Sequence, residues 1–280
     1  MNRDFLNARL LAGAIIVGGV CLMALISLVW TPYDPLKLDI ANRFAPPGPR
    51  HWLGTDQLGR DVLSLLMRGA VGPVGVSISA VTIGLVVGAT AGMLAASSGG
   101  VASYATLRTS DFLFAFPALL IAILLRETLG PGMLNAMVAI GIFYIPIFIR
   151  VSYGASLPVW RSGYVAAARV AGRGSLWIAT VHVLPNIAGV LTVHTSVQLS
   201  LGVLAEASLS YIGLGVQPPQ PSWGRMLLEA QTLLPISPLL AIAPGLAIMV
   251  TVMGFNLLGA GLRQALDPRG AFIPESEAVR

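Results

Sequence analysis

Six stretches of this chain stay apolar for too long to be hidden in a soluble fold. They span residues 10–30, 71–96, 112–129, 133–153, 187–214 and 236–258. Each approaches or exceeds the roughly 17–25 residues a helix needs to cross the hydrocarbon core of a bilayer. Hydrophobic residues make up 55% of the sequence and charged ones 10%, against about 25% charged in a soluble domain. A surface in water cannot be covered with so few polar groups. The runs are continuous rather than alternating, which argues against strands. The pattern predicts an all-α integral membrane protein with six transmembrane helices.

The first run follows a basic N-terminus, as a secretory signal would. It is about 20 residues long, beyond the roughly 7–15 of a signal core, and no small-x-small site precedes Thr31-Pro32, so it reads as a retained helix. Cys21 lies inside it and reads as a small buried hydrophobe. Pro117, Pro146 and Pro244 fall within the apolar runs, where neighbouring helices can satisfy the carbonyls they free. Gly84, Gly88 and Gly92 recur every fourth residue, the spacing for close helix packing.

Orientation follows the basic residues. With the N-terminus inside, ten of the 17 Lys and Arg are cytosolic and seven are outside. The outer seven lie mostly in one long loop together with Asp34, Asp39, Asp56 and Asp61. The short inner loops carry almost no acid. Both termini are therefore expected in the cytosol. The organisation is then an N-terminus and first helix (1–30), an outer loop (31–70) that Pro46, Pro47 and Pro49 keep from being helical, a membrane core (71–266) and a polar tail (267–280). The net charge of +5 does not gather on an aromatic-lined element, so nucleic acid is not an expected partner.

Little in the sequence supports bond chemistry. His51, His182 and His194 lie far apart and show no HExxH spacing. There is no CxxC, no GxSxG and no GxxxxGK[ST]. Asp111 has no second acid at comparable depth. The chain is not expected to be an enzyme or to bind a cofactor.

The segment 161–185, RSGYVAAARVAGRGSLWIATVHVLP, stands apart. It carries three arginines and no acid between two apolar runs. Residues 164–171 hold four alanines and predict a helix, with Gly172 placed to stop it. Residues 175–184 predict a second helix, ended by Pro185. The first helix can pack on its own bundle, or its small face can lie in a partner's groove with Arg169 and Arg173 meeting carboxylates.

At these residues the chain resembles the permease subunits of binding-protein-dependent ABC importers. Their cytosolic loop carries a Glu-Ala-Ala, a glycine and a Leu-Pro; the matches here are Ala167, Ala168, Gly172, Leu184 and Pro185. Ala166 stands where that family has its acid. The resemblance extends to His51-Trp52-Leu53-Gly54-Thr55-Asp56, Gly59-Arg60-Asp61, Glu206-Ala207-Ser208-Leu209-Ser210, Pro221-Ser222-Trp223-Gly224, Phe255-Asn256-Leu257-Leu258-Gly259 and Leu266-Asp267-Pro268-Arg269. Together these are similar to the second permease of dipeptide, oligopeptide and nickel importers, with Ala260 where an acid is usual.

The resemblance implies a type I ABC importer permease fold in the bacterial inner membrane. It implies a homologous permease as partner, two cytosolic ATPase subunits that hold the ATP and Mg, and a periplasmic substrate-binding protein. It makes 161–185 the coupling loop, with Tyr164, Ala167, Ala168, Arg169, Gly172, Arg173, Leu184 and Pro185 facing or shaping the ATPase contact. Peptides are the implied substrate, with nickel or another small solute as the alternative. An ion-coupled secondary transporter is the rival, but it needs midplane acids that this chain does not place.

Glu206 falls about 30 Å along the fifth run, near its outer end. A carboxylate there either lines the pathway or meets a partner, or else is capped by a neighbouring helix. His194 lies deeper and reads as a packed imidazole. Asp56, Arg60 and Asp61 form either a structural ion-pair cluster or a contact for the binding protein. Trp52 and Trp223 suit an outer interfacial belt.

Overall fold

The computed structural model of the chain describes residues 3–130 and 132–266. The tail 267–280, and with it the Asp267-Pro268-Arg269 match, lies outside the described residues. Among those described, the regular structure is helical; the extended exception is one isolated antiparallel bridge between Thr55 and Asp61. The helices are α1 (Arg3–Ile26), α2 (Val62–Ser98), α3 (Gly100–Phe114), α4 (Ala118–Leu129), α5 (Met133–Trp160), α6 (Gly163–Val170), α7 (Ser175–Tyr211), α8 (Trp223–Ala230) and α9 (Leu239–Leu266).

Five helices are long and apolar enough to cross a bilayer: α1, α2, α5, α7 and α9. The sixth crossing was expected as one helix over 112–129. The chain breaks there instead: α3 and α4 meet at 79° and together make the sixth candidate span. Pro117 is the cause. It sits at φ −59°, ψ 137° ahead of α4, and a proline disfavours helical backbone at the residue before it. Ala115, Phe116 and Pro117 are all exposed at the break. Pro146 and Pro244 are buried inside α5 and α9, and both helices continue through them.

Two more expectations are corrected. Residues 62–70 begin α2 rather than ending the outer loop, because Asp61 caps that helix by accepting from Ser64 N. Pro185 does not stop a helix. The chain stays helical from Ser175 to Tyr211, and a π-turn over Ala179–Val183 immediately precedes Leu184-Pro185. Widening one turn accommodates a residue that has no N–H to give.

The glycine series sets the tightest contact. Gly84 and Gly88 lie in a second π-turn, Gly84–Ala89, and Gly92 follows in α2. All three face α5. A Cβ at Gly84 would lie 2.5 Å from Tyr144 Cβ, and one at Gly88 would lie 2.7 Å from Phe148 Cβ. Backbones can meet this closely only without side chains between them. α1 and α9 pack antiparallel in the same way, with Gly13 against Leu258 and Gly254 against Ile16.

The buried apolar side chains form two groups. One joins α2, α4, α5, α6 and α7 around Val81, Phe148, Trp160, Val165 and Ile178. The other joins α1, α2, α7, α8 and α9 around Val62, Val203, Trp223 and Phe255. The helix ends therefore define two faces. One carries α6 and residues 161–185. The other carries residues 31–61, the 212–222 turn and α8.

Candidate functional site

The α6 face is built from alanine-rich helix on an aromatic base. Val165 is fully buried and Ala168 half-buried against the α5 and α7 ends, which fixes the side α6 turns inward. Tyr164, Ala166, Ala167 and Arg169 are exposed, Val170 is 91% exposed, and Leu176 beyond it is 66% exposed. Gly172, at φ +77°, ends the helix in the left-handed region. Its N–H donates to Arg169 O at 3.0 Å and the next N–H, of Arg173, donates to Ala168 O at 3.1 Å. This is the paired Schellman closure, which favours glycine at that position. No atom lies within 4 Å of a Cβ built there, so backbone conformation rather than space demands the glycine.

Two of the loop's three arginines, Arg169 and Arg173, rest on indoles. The Arg169 guanidinium lies 5.3 Å from the Trp160 ring centroid and that of Arg173 4.7 Å from Trp177. Trp160 is anchored by donating from Nε1 to Met93 O at 3.0 Å. Trp177 and Tyr164 both pack edgewise on His182, at 5.2 and 5.8 Å. Among the described residues neither Arg169 nor Arg173 pairs with a carboxylate, whereas Asp111 of α3 is held by Arg150 at 2.6 Å and Arg108 at 3.3 Å. Leu184 and Pro185 are exposed on α7, just past the π-turn.

The opposite face holds the remaining site candidates, and the structure divides what the sequence placed together. Arg60 bonds Asp56 at 2.6 Å and Glu229 at 3.1 Å, and Glu229 in turn receives Arg225 Nε at 3.0 Å. Asp56 also accepts from the backbone N–H groups of Leu58 and Arg60, both at 2.8 Å. Asp61 points elsewhere. It accepts from Ser64 N and Oγ at 2.8 and 2.7 Å and meets His51 Nδ1 at 2.9 Å. A cavity of about 60 Å³ adjoins the Asp56–Arg60–Glu229–Arg225 chain, large enough for water but not for a peptide.

Glu206 is 0% exposed. Ser210 Oγ donates to its Oε1 at 2.6 Å, and Val216 N donates to Ser210 Oγ at 3.1 Å, tying the turn after α7 to the helix. Gly72 of α2 faces this carboxylate, with Val216 and Ser222 beside it. Among the described residues Glu206 Oε2 has no hydrogen-bond partner. His194 is half-buried midway along α7. Trp52 is 72% exposed, but Trp223 is fully buried and donates to Leu66 O at 2.9 Å, so it is a core residue rather than an interfacial one.

The sequence singled out neither Glu229, Arg225 nor Trp160, and it offered Ser210 and His182 without the contacts they make here. The four-residue Arg225–Glu229 spacing was a readable signal; the indole bases under Arg169 and Arg173 had none. Among the described residues no three of His, Cys, Asp and Glu gather as a metal site.

Comparison with known proteins gives this arrangement its family. Residues 84–271 match the family described as "Binding-protein-dependent transport system inner membrane component". The chain is 38% identical over 273 residues to a glutathione transport system permease protein, GsiD, of Pectobacterium atrosepticum, covering 95% of this chain and 91% of that one. It is also 38% identical to a di/tripeptide transport system permease protein, DppC, of Pseudomonas aeruginosa, covering 90% and 88%. Among solved structures, inward-facing MetNI methionine ABC transporter matches 72% of this chain and 96% of its own at TM-score 0.60 and 17% identity, a likeness of fold. The chain belongs to the family of inner-membrane components of binding-protein-dependent transport systems.

Proposed function

We propose that this chain is the permease subunit of an ABC importer that carries short peptides across the inner membrane. The relatives at 38% identity are named for glutathione and di/tripeptide transport over nearly their whole length, and that is the observation that carries the substrate class. The α6 face is the cytosolic one in this reading, with the start of α1 and the end of α9 on the same side. Its partners are a homologous permease, two ATPase subunits bearing ATP and Mg, and a substrate-binding protein that docks on the 31–61 face.

Coupling runs through α6. Tyr164, Ala167 and Val170 present a small apolar surface, and Arg169 and Arg173 frame it with charge. Val165 and the Schellman turn at Gly172 hold that surface rigidly on the α5 and α7 ends, so a push from the ATPase moves whole helices. The subunit contributes differences in binding between two states rather than bond chemistry. Glu206 and Ser210 hold the turn after α7 against α2, and the Asp56–Arg60–Glu229–Arg225 chain holds α8 against the outer loop. Both ties keep the opposite face intact while the helices move.

The test is uptake by proteoliposomes holding the complete transporter, with ATP inside and the binding protein outside. Di- and tripeptides are expected to accumulate only with ATP, and nickel not at all. Uptake of nickel in place of peptide would move the chain to a metal importer, and uptake driven by an ion gradient without ATP would remove the reading altogether.

A further inference from the structure

Beside α6, on the side facing α3, lies a polar cleft of about 510 Å³ that the function above does not use. The end of α2, the first turns of α3, the end of α5, and α6 wall it. Ser97, Ser98, Ser103, Tyr153, Arg161 and Arg169 are among its lining, and the lining includes no acid. Among the described residues neither arginine forms an ion pair, so two positive charges face the cleft uncompensated. Asp111, the acid of α3, is already held by Arg108 and Arg150.

The donors are arranged for an anion. Trp160 covers one face of the Arg169 guanidinium at 5.3 Å and leaves its N–H edge available, the edge that matches a phosphate oxygen pair. Ser103 Oγ donates to Tyr153 Oη at 3.2 Å, so the tyrosine's own hydrogen remains for another acceptor. Two guanidinium groups and a phenol converge on one cleft without a carboxylate to absorb them. The cleft also sits at the end of a span, and Val101 and Tyr104 of α3 are 85% and 60% exposed beside it. Basic pockets between transmembrane helices at such a level suit anionic headgroups.

We propose that this cleft binds a phosphate group against Arg161, Arg169 and Tyr153, carried on the headgroup of an anionic phospholipid at the membrane edge or free in solution. Arg169 belongs to α6, so an occupied cleft fixes the guanidinium that borders the ATPase-facing surface. Only that consequence rests on the coupling role proposed above; binding itself does not.

The experiment is native mass spectrometry on the full-length, delipidated protein in detergent, titrated with phosphatidylglycerol, phosphatidylcholine and inorganic phosphate. Phosphatidylglycerol is expected to bind several-fold more tightly than phosphatidylcholine, and Arg161→Gln to weaken it about fivefold. Arg161→Lys keeps most of the affinity. Tyr153→Phe, which removes one hydroxyl and leaves both guanidinium groups in place, weakens it too. Competition by millimolar inorganic phosphate assigns the site to a free phosphate, and persistence of the lipid adduct assigns it to a headgroup; either supports the proposal. Equal binding of both lipids with no phosphate binding, or affinities unchanged in Arg161→Gln and in Arg161→Gln/Arg169→Gln, overturns it. So does an Arg161→Gln variant that loses ATPase association while its phosphate and lipid affinities stay the same, because the arginines then serve partner carboxylates.

Discussion

Gly172 shows how one residue's backbone can carry a surface. Its φ of +77° lies where an L side chain is strained, and open space surrounds it. Gly172→Ala should therefore cost about 1 kcal/mol, all of it in the turn. Asn should be tolerated better than Ala, and Val least. The expected readout is peptide uptake that falls in the order Gly, Asn, Ala, Val while the amount of subunit in the membrane stays constant. Arg60 is the second single-residue test. It bridges Asp56 of the outer loop and Glu229 of α8 from a half-buried position. Arg60→Ala is expected to lower thermal stability by about 2 kcal/mol, since Asp56 and Glu229 lose their shared cation. A double-mutant cycle of Arg60→Ala with Glu229→Ala should show coupling, and one of Arg60→Ala with Asp61→Ala much less, because Asp61 bonds Ser64 and His51 instead.

Among the elements, α2 against α5 and α3 with α4 behave in opposite ways. The α2–α5 contact depends on three glycines whose added Cβ atoms would strike Tyr144, Phe148 and Ser152. Gly88→Leu should push the pair apart at about 1–3 kcal/mol and lower the melting temperature of the purified subunit. Gly154→Leu on α5 is the control, because a Cβ there meets nothing within 4 Å. The α3–α4 pair breaks at an exposed proline, while the buried prolines of α5 and α9 do not interrupt their helices. Exposure alone does not set the outcome, since the exposed Pro158 also lies inside the unbroken α5. Which proline breaks its helix could not be read from the sequence, since Pro117, Pro146 and Pro244 look alike until the chain is folded.

At the scale of the whole molecule, the apolar runs and the glycine spacing made the all-helical membrane fold legible, because length against bilayer thickness needs no tertiary knowledge. Residues 163–172 were legible as a helix and a stop for a similar reason: alanine propensity and a left-handed glycine are local properties. The polar face was not. Asp56, Arg60 and Asp61 are close in sequence, yet a turn sends Asp61 to one cap and Arg60 to a helix more than 160 residues away. The aromatic bases under Arg169 and Arg173 also depend on where α5 and α7 end, which is a matter of packing. In the family's motif an acid precedes the two alanines, and here that position is the exposed Ala166. The charged frame of the loop is left to its arginines.

The central claim is that α6, through Arg169 and Arg173, carries the ATPase's state into the bundle. Charge reversal in the complete transporter tests it directly: Arg169→Glu/Arg173→Glu, reconstituted with its ATPases and binding protein, with peptide uptake and peptide-stimulated ATP hydrolysis measured on the same vesicles. The account predicts that subunit insertion is unchanged, stimulated hydrolysis collapses towards the basal rate, and ATP-dependent uptake is lost by at least about tenfold, as expected when two charged contacts meet like charge. Uptake and stimulated hydrolysis both at the unmodified level would contradict it and place the coupling contact elsewhere on the chain.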